Sequence, residues 1–138
     1  MLRLPMHGLA MDERTVVRLF KCHATKCIVE AYAHDPALDR RLPLRIVLLG
    51  VCRSWPRERA LEFVKCAESA FPGLCAGTFD AFGCSPLWYC LLNRHCRSSD
   101  GVFDGQPLVP ALLAAGCDPQ KENCLGLSFE AIANLSRH

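Results

Sequence analysis

Two short clusters hold the residue types that could do chemistry: Cys22-His23-x3-Cys27 and the adjacent pair His95-Cys96. A thiolate beside a protonated imidazole becomes reactive. His95-Cys96, set just before a Ser/Gly-rich stretch, is therefore the candidate for a thiol-dependent enzyme or redox sensor. Thiolate and imidazole also bind zinc, and Cys22, His23, Cys27 and Cys96 would supply the four ligands it takes. Against the metal site, neighbours such as Cys22 and His23 point about 100° apart on a helix, so both rarely reach one ion. Against catalysis, no third residue is placed to orient His95, which with Arg94 suits the negative end of a helix. No phosphate-binding glycine loop, His-Glu-x-x-His or Gly-x-Ser-x-Gly occurs. The sequence predicts no catalytic residue, no metal and no cofactor, with Cys96/His95 kept as the alternative.

The elements around these clusters are helical. The chain has 138 residues, 51% of them hydrophobic and 22% charged, which fits one domain with a sizeable core and excludes a disordered tail. No apolar run approaches the ~20 residues needed to span a bilayer, and a formal charge of +2 does not imply nucleic acid. Residues 1–11 read as an N-terminal extension without a secretory pattern. Most of the ten cysteines, among them Cys22, Cys52, Cys66 and Cys90, fall on apolar helix faces, where free cysteine acts as a small buried hydrophobe. The expected setting is intracellular and cytoplasmic. A mitochondrial destination is the alternative, because residues 1–11 lack acid and carry Arg3.

Periodicity and caps predict helices over 12–22, 25–33, 42–52 (Pro43 in its first turn) and 56–71, the last closed by Pro72-Gly73. A further helix opens at Ser85-Pro86. The stretch 97–107 has loop chemistry, 108–115 forms a helix ending at Gly116, and Ser128 caps a last helix to Leu135. The expectation is all-α, with six or seven helices in stacked antiparallel pairs. Those pairs cover about 12–33, 43–72 and 85–116, followed by a capping helix 128–136.

The pairs recur. Asp80-Ala81-Phe82-Gly83-Cys84-Ser85-Pro86-Leu87 is echoed 43 residues later by Asn123-Cys124-Leu125-Gly126-Leu127-Ser128-Phe129, each copy 7 residues after Gly73 or Gly116. A period of this size marks stacked supersecondary units. With the Gly116-Cys117-Asp118-Pro119 turn, the segment from about 73 to 135 resembles ankyrin repeats, whose pairs close with Gly-x-Asp, cross by Asp-x-x-Gly and open with Thr-Pro-Leu. Asp80 or Asn123 bonds the turn's own backbone, Gly83 or Gly126 accepts positive φ, Ser85 or Ser128 caps, and Pro86 pre-sets the first φ. The period departs from the family's ~33 residues, Trp88 stands where the family has histidine, and residues 12–72 match only at Pro43-Leu44.

The resemblance implies a short ankyrin-like array that binds protein rather than performing chemistry. The expected binding face comprises Trp88, Tyr89, Phe79, Phe82 and Phe103 with Arg53 and Arg57, taken from the dense arginine stretch Arg40 to Arg59. Arginine forks onto carboxylate or phosphate. An accessory subunit of a multi-subunit assembly is the variant of the same reading, since a short stack leaves end surfaces that need covering.

Overall fold

The structure, a computed structural model, describes residues 12–135; the expected N-terminal extension 1–11 and the last three residues lie outside them. Among the described residues the protein is built of α-helices, one 3₁₀ turn and no strand.

Helix α1 (Glu13–Lys21) starts where the side chain of Asp12 accepts from Thr15 N at 2.8 Å and Thr15 Oγ1 at 2.7 Å. It ends in a six-to-one closure, Ala24 N to Leu19 O at 2.9 Å, with His23 in the left-handed region at φ 57°. Helix α2 (Thr25–His34) runs straight into a helix the sequence reading missed, α3 (Pro36–Arg41). Pro36 disfavours helix in the residue before it and so stops α2. It is also the pre-set first residue of α3, which Asp35 caps by accepting from Ala37 N at 3.2 Å. With this addition the described residues hold eight α-helices rather than six or seven.

Helix α4 (Leu44–Ser54) begins one residue after Pro43, which sits in the capping position rather than inside the helix. Its residues Leu44, Val47, Leu48, Leu49, Val51 and Cys52 are buried. Helix α5 (Arg57–Ala70) buries Ala60, Phe63, Val64 and Ala67 and stops at Phe71. Gly73 turns the chain at φ +89°, while the Glu68 carboxylate reaches over the helix end to accept from Gly73 N at 2.7 Å and Cys75 N at 3.0 Å. Ser85 caps α6 (Pro86–Leu91) through Leu87 N, and a 3₁₀ turn (Arg94–Cys96) follows. Helix α7 (Leu108–Ala114) closes at Gly116 (φ +102°), and Ser128 accepts from Ala131 N at the start of α8 (Phe129–Leu135).

Helices α1 and α2 pack together, as do α4 with α5 and α6 with α7. Sideways contacts then form two rows, α2–α5–α7 and α4–α6–α8. One continuous core runs between them. Its aromatic centre is Trp55, whose ring lies 5.4 Å from Phe20, 5.5 Å from Phe63 in an edge-on arrangement and 4.8 Å from the imidazole of His23.

Candidate functional site

The two echoing segments fold into turns with the same bonds. Asp80 N donates to Cys84 O at 3.0 Å and Asn123 N to Leu127 O at 2.9 Å. Gly83 N returns to Asp80 O, and Gly126 N to Asn123 O. One side-chain oxygen of Asp80 accepts from Phe82 N and Cys84 N, and that of Asn123 accepts from Leu125 N and Leu127 N. Both glycines are left-handed, at φ +80° and +76°. The turns also touch: Cys124 N donates to Phe82 O at 2.9 Å, and Asn123 Nδ2 lies 3.6 Å from Cys84 Sγ. Asp118, in the Gly116 turn, accepts from Gln120 N in the same fashion.

The first of these turns forms one wall of a groove of about 610 Å³. Helix α4 supplies the opposite side through Arg45, Ile46, Leu49, Gly50 and Arg53, a single face at spacings of one, four, five and eight. The turn supplies Phe79, Asp80 and Ala81, and α6 supplies Tyr89. Ile46 is 53% exposed although it is apolar. The Tyr89 hydroxyl donates to the second oxygen of Asp80 at 2.7 Å. Burial and that bond push Tyr89 up to about 12, with the nearby Arg53 guanidinium working the other way. Lys121 Nζ lies 5.0 Å above the Phe79 ring. Both oxygens of Asp80 are thus engaged internally. Among the described residues, neither Arg45 nor Arg53 has a carboxylate within ion-pair distance.

The residues singled out from sequence scatter around this groove. Phe79, Tyr89 and Arg53 line it. Phe82 is 64% exposed at the tip of the turn, and Trp88 is half-buried against the core. Two expected binding residues are corrected. Phe103 is buried, 4% exposed, with its ring 6.2 Å from Phe129, because the 97–107 loop folds back through an Arg97–Phe103 bridge. Arg57 is committed to that same loop. Its guanidinium donates to Asp104 O at 3.1 Å and Gln106 O at 2.7 Å, and it pairs with the Asp104 carboxylate at 3.1 Å. Of the other clustered arginines, Arg41 pairs with Glu13 and Asp35, and Arg59 approaches Glu62. Arg45, Ile46 and Leu49 were not assigned to the binding face. Their shared helical face was the signal, obscured because α4 is apolar on most sides.

The thiol cluster has a different character from the one its sequence suggests. Cys96 is fully buried, and its polar neighbour is the Cys90 thiol. That thiol's hydrogen bond pulls Cys96 down. The bonds of Cys90 to Cys52 and Cys96, together with burial, push Cys90 up. His95 is half-buried on the 3₁₀ turn, where its backbone N–H donates to the Asn93 side chain. At the other cluster, Cys22 caps the end of α1 and is exposed, as is Cys27, while His23 lies on Trp55. Among the described residues no group of three or more His, Cys, Asp or Glu side chains is arranged to hold a metal ion.

No protein-family model, no curated protein and no solved structure matches the chain.

Proposed function

We propose that the protein is a non-catalytic protein-binding module, a short ankyrin-like stack of helix pairs whose ligand face is the groove between α4, the 79–81 turn and Tyr89. The observation that carries this reading is the groove itself. An apolar strip with an exposed Ile46 is flanked by two arginines that form no ion pair among the described residues. Binding sites combine apolar surface with a few placed polar groups in this way. The matching bonds of the turns at Asp80 and Asn123 support the repeat reading, since each leads from one helix pair into the helix that follows.

Membership of a larger assembly is supported by the exposed leucines Leu92, Leu125, Leu127 and Leu135, which sit on α6's end, the last turn and α8. Core thiols at Cys52, Cys75, Cys90, Cys96 and Cys117 support a reducing, intracellular setting.

Affinity capture with the full chain tests the reading. A partner that binds the native protein is lost on Ile46→Asp and retained on Glu62→Ala, which lies in the other helix row. Equal recovery by native protein and Ile46→Asp, with unchanged helicity, overturns it.

A further inference from the structure

We infer that the groove takes an acidic, extended peptide segment whose carboxylate, apolar and carboxylate side chains sit at alternate positions. This inference rests on the binding reading above and adds the chemistry of the occupant.

The charges come first. Arg45 and Arg53 stand at the two ends of the α4 face, with no carboxylate of the described residues within ion-pair distance, and Asp80, the acidic residue of the lining, is spent on Phe82 N, Cys84 N and Tyr89. Lys121, poised over Phe79, adds a third cation at the rim. The stretches 1–11 and 136–138 carry no Asp or Glu side chain. In this reading the occupant supplies the complementary charge, and guanidinium groups favour carboxylates that they can grip with two N–H bonds.

Spacing then sets the form of the ligand. Arg53 lies eight positions after Arg45, a rise of about 12 Å along α4. In an extended peptide, side chains at alternate positions project to one side, and four residues span about 13 Å. A segment of the form Glu-x-Leu-x-Glu thus presents two carboxylates at the arginines and one apolar side chain between them. The surface between the arginines is Ile46 and Leu49 on one side and Phe79 and Ala81 on the other, which receives an aliphatic group. A phosphate polymer would leave that strip facing charged backbone, and so it is the weaker fit.

Fluorescence anisotropy on the full chain tests the inference with a labelled peptide of repeating Gly-Glu-Gly-Leu-Gly-Glu-Gly type. The comparison peptides replace both Glu with Gln, both Glu with Lys, or Leu with Ser, and a single-stranded oligonucleotide serves as competitor. The acidic peptide is expected to bind at least about 10-fold more tightly than the Lys peptide, and to weaken several-fold between about 50 and about 300 mM salt. Arg45→Glu with Arg53→Glu, checked for native helicity, is expected to invert the preference towards the Lys peptide. Equal binding of the Glu and Gln peptides, abolished by Ile46→Asp, overturns the acidic occupant while leaving the groove as a binding face. Binding of no peptide, with oligonucleotide binding lost on the double arginine reversal, makes the ligand a nucleic acid and overturns both readings. Peptide binding that neither Ile46→Asp nor the arginine reversal alters places the ligand elsewhere and overturns both as well.

Discussion

The side-chain amide of Asn93 lies 2.8 Å from the carbonyl oxygen of Cys52, standing in for a backbone donor that the sequence removed. In a helix that carbonyl would accept from the residue four further on, which is Pro56 and has no N–H. The same Nδ2 donates to Trp55 O at 2.9 Å, and Oδ1 accepts from His95 N at 2.8 Å, so one fully buried residue satisfies three backbone groups. It also joins the end of α4 to the 3₁₀ turn after α6.

Asn93→Leu should therefore cost about 3 kcal/mol or more, because it strands buried polar groups while keeping the bulk. Asn93→Asp is expected to be at least as damaging at neutral pH, since it turns a carboxylate oxygen on the two carbonyls in place of N–H groups. Urea denaturation of the three proteins checks both expectations. A loss under about 1 kcal/mol for Asn93→Leu would show that solvent reaches these carbonyls.

Acid should loosen the turns. Burial works to raise the carboxyls of Glu68 and Asp80, but it is outweighed. Bonds from Cys75 N and Gly73 N, and from Cys84 N, the Tyr89 hydroxyl and Phe82 N, hold them below the ordinary carboxylate range. A carboxyl with a lowered folded pKa binds fewer protons when folded. It contributes stability above its unfolded value of about 4, and this is lost as pH falls through the folded value. Hydrogen bonds to their own turns hold Asp12, Asp100 and Asp104 low in the same direction. Denaturation midpoints are expected to fall below about pH 4. Asp80→Asn should flatten that limb while preserving the turn, because Asn123 makes the same pair of bonds with a neutral amide. An acid limb as steep in Asp80→Asn with Glu68→Gln as in the native chain would assign it to other groups.

Thiol labelling separates the binding module from a thiol enzyme. Cys22, Cys27 and Cys124 are exposed and should alkylate first. Burial pushes Cys117 up to about 12 and raises Cys75 as well, so both should label only when the stack opens. Cys96 is held low by the Cys90 hydrogen bond, yet it is sealed from solvent. Pulse alkylation with peptide mapping is expected to show Cys96 no faster than Cys90. Rapid labelling of Cys96 alone at mildly acidic pH would revive the thiol-dependent reading.

Local chemistry was the legible part of this fold. Asp12, Ser85 and Ser128 announce helix starts, Gly73 and Gly116 announce helix ends, and the spacing of Asp80-x-x-Gly83 and Asn123-x-x-Gly126 announces matching turns. Each of these is decided within a few residues. Helix α3 was hidden because Asp35-Pro36 ends one helix and begins another with the same two residues. The roles of Asn93 and Arg57 lie in partners 38 to 49 positions away, and no local pattern encodes them. Phe103 misled for the same reason: its neighbours are loop formers, while its side chain belongs to the core.

That last feature bears on where the polypeptide can be cut or extended. The 97–107 segment looks like an insertion open to proteases, yet its second half is held by Phe103 in the core, by Asp104 N on Cys96 O and by the Arg57 clamp. The longest continuously exposed stretch is the tip, Arg97 to Val102. Gly101 there has no atom near the place a Cβ would occupy. A nick or a grafted domain at Asp100-Gly101 would leave both helix rows joined, whereas one at Asp104-Gly105 would pull the aromatic plug and the arginine tether out together.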